Sequence, residues 1–308
     1  MKKIVVLGST NTDMVITGKK LPVPGETVCD GSFLMNPGGK GANQAVAVAR
    51  LASAPKGPAL RSRGVGGCTF IAKVGDDLFG RETAVRMKKD GIDAKLLVDK
   101  KNASGTALIL VDAKGQNVIS VALGANGTLS PKDIAPYEKT IAGGAALLMQ
   151  LETPIPTVQR AAEVAAAAGV PVILNPAPAA KLPKKLLKLV DWITPNETEA
   201  EILTGVKVTD ATSAQKAVDA LKKAGVKHAL VTMGAKGVYC GDCQKLYPCQ
   251  KVKAVDCVAA GDTFNGAFVV ALTEGKTCAE AIAFAQKAAA ISVTRPGAQS
   301  SVPFRNEL

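Results

Sequence analysis

The sequence has 308 residues, 47% of them hydrophobic and 4% aromatic, and carries a formal net charge of +12 at pH 7. That length suits one large α/β domain, or one domain with a smaller appendage, around a sizeable core. The Lys and Arg residues are dispersed and interleave with no stacking aromatics, which points away from nucleic acid and towards a solvated basic surface or an anionic small substrate.

No apolar run approaches the ~18 residues that a membrane span needs. Met1-Lys2-Lys3 runs straight into a strand-like segment, and Arg305-Asn306-Glu307-Leu308 is no Ser-Lys-Leu signal, so a soluble, unsecreted, cytoplasmic protein is expected. The seven cysteines are an odd set without framework spacing, as in a reducing compartment.

Apolar runs bounded by turn residues predict buried strands at Ile4 to Leu7, Phe70 to Val74, Ala145 to Leu151, Val170 to Leu174 and Ala229 to Thr232. Helices are predicted at Ala42 to Leu51, Thr157 to Ala168, Ser213 to Ala224, Asp262 to Thr273 and Cys278 to Thr294, with Gly225 and Gly275 closing the third and fourth. The alternation is that of an α/β fold with a doubly wound, mostly parallel central sheet flanked by helices. Residues 13–35 and 94–125 interrupt it with β-like pieces, among them Gly105 to Val111, a Lys114-Gly115 turn and Val118 to Leu123. They predict a small β-sheet lid over strand ends, leaving 1–12, 36–93 and 126–308 as the core. The Gly-, Pro-, Ser- and Arg-rich stretch 53–67 exceeds an ordinary connection and is expected to be a mobile surface insertion.

Gly8-Ser9-Thr10-Asn11-Thr12-Asp13 follows the first strand, so Asn11 and Asp13 emerge at its C-terminal end. One carboxylate there matches the vicinal hydroxyls of a sugar, although Asn and Asp also simply form turns. Asn36-Pro37-Gly38-Gly39-Lys40-Gly41-Ala42-Asn43-Gln44 sets glycines, a cation and amide side chains at a helix entrance; it is no Walker A loop, since Gly41 follows Lys40 where Ser or Thr is needed. Gly39 and Gly41 permit close backbone approach and Lys40 and Asn43 can bond hydroxyls, with a plain helix-entry turn as the alternative.

Gln150-Leu151-Glu152 ends a strand with a carboxylate. Asn196 and Glu199 have the spacing of a capping pair, which also lets Asn196 meet a phosphate and Glu199 hold hydrated Mg²⁺ through water. Thr232-Met233-Gly234-Ala235-Lys236-Gly237 leaves room for a nucleotide against backbone, or is an ordinary hairpin turn. Cys240-Gly241-Asp242-Cys243, with Cys249 nearby, invites zinc, but no second Cys-x-x-Cys and no adjacent His support it. His228 is the only histidine, against a Ser-His-Asp hydrolase or a multi-His metal site.

The segment Asp256 to Gly266 is the most informative. Small residues run directly into a helix, exposing amides where a phosphate can approach. Asp262 would sit beside that anion site as general base, or would merely cap the helix.

In combined order, Gly8 to Asp13, Gly38 to Ala45, Leu148 to Glu152, Thr194-Pro195-Asn196-Glu197-Thr198-Glu199 and Ala259-Ala260-Gly261-Asp262-Thr263-Phe264-Asn265-Gly266 resemble the ribokinase and PfkB family of carbohydrate kinases, over Ile4 to about Phe304. The resemblance implies transfer of the ATP γ-phosphoryl group to the 5-hydroxyl of ribose, with Asp262 as base and the Ala259, Ala260 and Gly261 amides as anion hole. It implies ribose binding by Asn11, Asp13, Gly39, Lys40, Asn43 and Glu152. ATP would be held by Asn196, the Thr232, Met233, Gly234, Ala235, Lys236 and Gly237 turn, Gly261 and Gln286, with Glu199 associated with Mg²⁺. A K⁺ site is implied at Asp256, Val258, Ser292, Arg295, Gly297 and Ser301, although Cys257-Val258 departs from the family's more usual Thr-Thr. A homodimer through the β lids is implied as well. The alternatives are a relative acting on deoxyribose, fructose or a nucleoside, and a non-catalytic sensor; Asp13 with Lys40 and Asn43 favours a compact polyhydroxylated sugar, and the intact Ala-Ala-Gly-Asp argues against a sensor.

Overall fold

The structure, a computed structural model, describes residues 1–52 and 66–308, so the expected insertion lies outside the described residues except for Gly66 and Gly67. The chain opens with β1 (Ile4–Leu7), β2 (Asn11–Thr17), β3 (Ser32–Gly38) and α1 (Lys40–Leu51). Next come β4 (Cys68–Gly75), α2 (Leu78–Lys89), β5 (Asp93–Asp99), β6 (Gly105–Val111) and β7 (Asn117–Ala122). The short helices α3 (Pro131–Ile134) and α4 (Glu138–Ala142) lead to β8 (Ala146–Met149), α5 (Ile155–Ala167), β9 (Val172–Leu174), α6 (Lys184–Leu187) and β10 (Trp192–Ile193). After these come α7 (Glu197–Thr204), α8 (Ala211–Ala224), β11 (His228–Thr232), β12 (Val238–Cys240), β13 (Lys245–Tyr247), α9 (Ala260–Thr273) and α10 (Cys278–Ser292).

A nine-stranded sheet runs β13-β12-β11-β10-β9-β8-β1-β4-β5. It is parallel from β11 to β5, and β12 and β13 add an antiparallel edge. Helices cover both faces, which is why β1 is apolar at every position: Ile4 and Val6 join the core on one side, with α1, α9 and α10, while Val5 and Leu7 join the core on the other, with α5 and α8. Each such buried side chain contributes roughly 1.5–3 kcal/mol. The chain winds outward from β1 through β4 to β5, then returns to β8 and winds the other way. The β1/β8 boundary is thus the switch point, where an open α/β sheet places its ligand at the carboxyl ends of the strands.

A second, four-stranded sheet has the order β3-β2-β6-β7. It draws in Asn11, Thr12 and residues 36–38, expected in the core, and leaves out β5, expected in the small sheet. Asp93–Asp99 pairs in parallel with β4 along its whole length because α2 forms the right length of crossover between them. As an edge strand of partly exposed residues, β5 looks by composition like a strand of the small sheet. Among the described residues no helix is long and apolar enough to cross a membrane.

Candidate active site

β1 and β8 end side by side, with Leu7 paired to Met149, and release Gly8 to Asp13 and Gln150 to Glu152 at one edge of the sheet. Missing side chains bring the backbones together: a Cβ on Gly8 would stand 2.1 Å from Gln150 Oε1, and one on Gly41 2.5 Å from the Ser9 nitrogen. Gly39 begins α1 at φ 87° and ψ 127°, a conformation that glycine adopts without strain. The Ser9 hydroxyl and the Lys40 amide donate to Glu152 Oε2 at 2.5 and 3.0 Å. Asn126, fully buried, fixes the next turn by donating to Asn11 Oδ1 at 2.8 Å and to the Thr10 carbonyl at 3.0 Å. Asp13 lies over Gly38, where a Cβ would come within 2.2 Å of its carboxylate.

On the opposite side, Ala259 starts α9 in the left-handed region at φ 58°, a conformation costing about 1–2 kcal/mol for a residue with a side chain. The Thr263 amide is the first to bond back within the helix, to the Ala259 carbonyl at 2.8 Å, so the Gly261 and Asp262 amides precede the helical ladder. Above Gly261 the space is open, with nothing within 4 Å of a built Cβ. Asp262 does not cap this helix. Its Oδ2 accepts from Asn43 Nδ2 and its Oδ1 from Gln44 Nε2, both at 2.9 Å, and the residue is only 7% exposed.

Five charged groups, Lys40 with Asp13, Glu152, Glu199 and Asp262, converge here. Burial raises the pKa of Asp262, while the Lys40 ammonium and the amides of Asn43 and Gln44 work to keep it ionised. Asp13 is pushed up to about 6 by burial and by the nearby Glu152 carboxylate, with Lys40 opposing. Burial works against the Lys40 ammonium too, but Asp262, Glu152, Glu199 and Asp13 together outweigh it and raise its pKa. One cation thus balances a cluster of carboxylates, three of which, Asp13, Glu199 and Asp262, hold their protons more strongly than free carboxylates do.

A buried chain of polar side chains supports the site. Gln44 donates also to Asn175 Oδ1 at 3.0 Å and accepts from Gln150, Asn175 donates to the Thr194 carbonyl, Thr194 to Asn265, and Asn265 to the Gly261 carbonyl at 2.8 Å. These bonds tie the ends of β8, β9 and β10 to the first turns of α1 and α9. Among the described residues, Asn43 Oδ1 is buried and accepts no hydrogen bond, so a ligand hydroxyl donating to it would satisfy it.

The remaining predicted residues are distributed around this centre. Asn196 and Glu199 do form a capping box on α7, at 2.8 and 2.9 Å, yet Glu199 is near enough to Lys40 for each to shift the other. Thr232 to Gly237 is a tight β11–β12 connection in which Met233 is buried, Gly234 opens on empty space and Lys236 bonds the Thr209 carbonyl at 2.9 Å. Gly237 packs on the Tyr247 carbonyl, to which Gln286 Nε2 donates at 2.8 Å. Asp256 bridges the Val258 and Gly297 amides, both at 2.9 Å, whereas Ser292 and Ser301 donate within their own turns and the Arg295 guanidinium pairs with Glu307. Gln44, Asn126 and Ser9 join the site beyond the residues expected there; Gln44 and Ser9 belong to the Gly38 to Ala45 and Gly8 to Asp13 motifs, while nothing local marks Asn126.

A family model described as pfkB family carbohydrate kinase matches residues 1–305, and the chain belongs to that family. It is 45% identical to a ribokinase of Haemophilus influenzae, covering 99% of this chain and 97% of that one. Among solved structures, Arabidopsis thaliana ribokinase complexed with ribose and ATP superposes with a TM-score of 0.90 at 31% identity, over 99% of this chain and 96% of that one. Ribokinase from Thermotoga maritima superposes with a TM-score of 0.87 at 38% identity, over 100% and 98%.

Proposed function

We propose that this carbohydrate kinase phosphorylates D-ribose at its 5-hydroxyl with ATP. The observation that carries the assignment is the buried Asp262 carboxylate, held by Asn43 and Gln44 at the open start of α9 and faced by Lys40. Asp262 takes the hydroxyl proton as the sugar oxygen bonds to the γ-phosphorus and the bond to the β-phosphate oxygen breaks, leaving ADP. Its raised pKa suits it to the task, since a base nearer the working pH accepts a proton more readily. The Ala259 and Gly261 amides with the helix dipole stabilise the charge on the transferring group, and the Ala260 amide joins them by giving up its 3.3 Å bond to the Cys257 carbonyl.

The sugar is held by Asn11, Asp13, Gly39, Lys40, Asn43 and Glu152, with Asp13 and Glu152 accepting from hydroxyls and Asn43 Oδ1 gaining the partner it lacks. ATP lies along the Thr232 to Gly237 turn towards Asn196 and Gln286, its adenine end near the open space at Gly234. Mg²⁺ suits the oxygen donors at this end and would be held by Glu199 through water, where it neutralises phosphate charge. K⁺ would be held by Asp256, Val258, Ser292, Arg295, Gly297 and Ser301, several of them through backbone carbonyls; the Asp256 bridge to Gly297 already brings both loops of that set together. The small sheet acts as the lid and pairs with that of a second copy, and the protein works in the cytoplasm. The test is incubation with Mg-ATP, K⁺ and a panel of ribose, 2-deoxyribose, fructose and adenosine, with the phosphorylated product identified. Preferential ribose 5-phosphate is expected; preference for another acceptor overturns the sugar assignment.

A further inference from the structure

Away from the active site, the densest group of metal-ligating side chains among the described residues is sulfur. The β12–β13 hairpin turns through Cys240-Gly241-Asp242-Cys243, and Cys278, the first residue of α10, packs against that turn. The sulfur atoms of Cys240, Cys243 and Cys278 lie within 4.8 Å of one another. All three are free thiols, Cys240 buried, Cys278 half-buried and Cys243 exposed, so the group opens to solvent on one side. Sequence spacing argues against a metal here because Cys240-x-x-Cys243, even with Cys249 nearby, is followed by no second Cys-x-x-Cys and has no adjacent His. The fold supplies one from the start of α10.

The spacing suits a cation. Cys240 Sγ and Cys278 Sγ stand 3.6 Å apart. Ligands about 2.3 Å from a tetrahedral centre, the Zn–S distance, stand roughly 3.8 Å apart. Two features of the backbone also suit the site. The Cys243 amide donates to Cys240 Sγ at 3.4 Å, as a Cys-x-x-Cys turn wrapped around a cation does. Cys278 lies in the first turn of a 15-residue helix, whose dipole favours negative charge. Asp242 is not a further ligand, because Lys222 and His228 occupy its two oxygens.

We propose that Cys240, Cys243 and Cys278 form a binding site for a thiophilic cation of the Zn²⁺ or Cu⁺ type, with a fourth position open to water. Binding replaces thiol protons by metal–sulfur bonds and joins the hairpin tip to the start of α10. That seam is already fastened at its other end by the Gln286–Tyr247 bond. Hard Mg²⁺ and K⁺ prefer oxygen and do not compete for it.

The full chain, reduced and stripped with a chelator, is titrated with Zn²⁺ against a chromophoric chelator, with Co²⁺ read by thiolate charge-transfer absorption, and anaerobically with Cu⁺. One tightly bound equivalent per chain is expected, with thiolate charge transfer for Co²⁺ and a higher melting temperature on loading; whichever of Zn²⁺ and Cu⁺ binds more tightly identifies the ion. Cys243→Ser, at an exposed position that does not endanger folding, and Cys278→Ser are each expected to weaken binding at least about 100-fold, the upper range for loss of a mere supporting partner. Cys29→Ser, an exposed cysteine remote in sequence, leaves it unchanged. Absence of a stoichiometric equivalent, or titrations that Cys243→Ser and Cys278→Ser leave unaltered, overturns the site.

Discussion

Gln44 Nε2 donates to Asp262 Oδ1 at 2.9 Å across 218 residues of chain, from the first turn of one buried helix to that of another. The same amide bonds Asn175, and Gln44 Oε1 accepts from Gln150, so one side chain sets the carboxylate against the ends of two strands. Gln44→Leu removes a donor that favours the ionised carboxylate, which raises the Asp262 pKa further. The acid limb of the kcat–pH profile should move to higher pH and turnover at neutral pH should fall on the order of 10-fold, with about 1–3 kcal/mol of stability lost from the partners left unsatisfied. A merely structural Gln44 would lower the melting temperature and leave the pH profile where it was.

Asp262→Asn keeps the shape and removes the base. Turnover should fall by at least about 10²-fold while ribose and ATP still bind, which equilibrium titration and single-turnover kinetics separate. The variant should melt no lower than wild type, because the change also removes a buried charge whose ionisation the fold resists. Near-normal turnover would remove Asp262 from its assigned role.

Much of this centre is legible in the sequence because its motifs come directly after apolar runs whose strand character is unambiguous: β1, β8 and β11 are buried on both faces, and the residues after each emerge at one sheet edge. The helix α2 escapes such a reading because it is polar over much of its length and buries only Gly80, Thr83 and Met87, and β10 because it has only 2 residues. Local physics also leaves Asp262 balanced between base and cap, and only the arrival of Asn43 and Gln44 from α1 settles that it caps nothing. The Asn126 clamp on Thr10 and the Cys278 approach to Cys240 are likewise contacts between distant segments, for which no spacing exists to be read.

Asp13 links acidity to both stability and sugar binding. Its folded pKa, about 6, lies above the unfolded value near 3.8, so between those values the folded state binds more protons and stability falls as pH rises. The loss is complete above pH about 6, where Asp13→Asn should therefore stabilise the protein by up to about 3 kcal/mol while losing most ribose affinity. In the wild type the ribose KM should climb as pH drops through about 6, because a protonated Asp13 accepts fewer hydroxyls. A ribose KM flat from pH 5 to 8 would show that Asp13 does not carry the sugar.

The register of the small sheet gives its two faces different characters. On the face opposite Asp13, Phe33, Ile16, Leu110 and Val118 form one row across all strands, and Met35, Met14 and Leu108 form most of the next. Phe33 is 63% exposed, Leu108 55% and Val118 55%, far more than isolated apolar residues on a soluble surface require. A second copy of the same sheet is the self-complementary partner that closed two-fold symmetry supplies. Light scattering on the purified protein should give twice the chain mass. Phe33→Asp with Leu108→Asp places charges in the middle of the contact without disturbing any buried side chain, and should shift the equilibrium to monomer, weakening association at least about 100-fold on the scale of a central contact. The double variant should also lose ribose affinity if the partner sheet steadies the lid, since a free lid samples open positions that bind less sugar. Monomeric wild-type protein at micromolar concentration would leave this apolar face without the partner assigned to it.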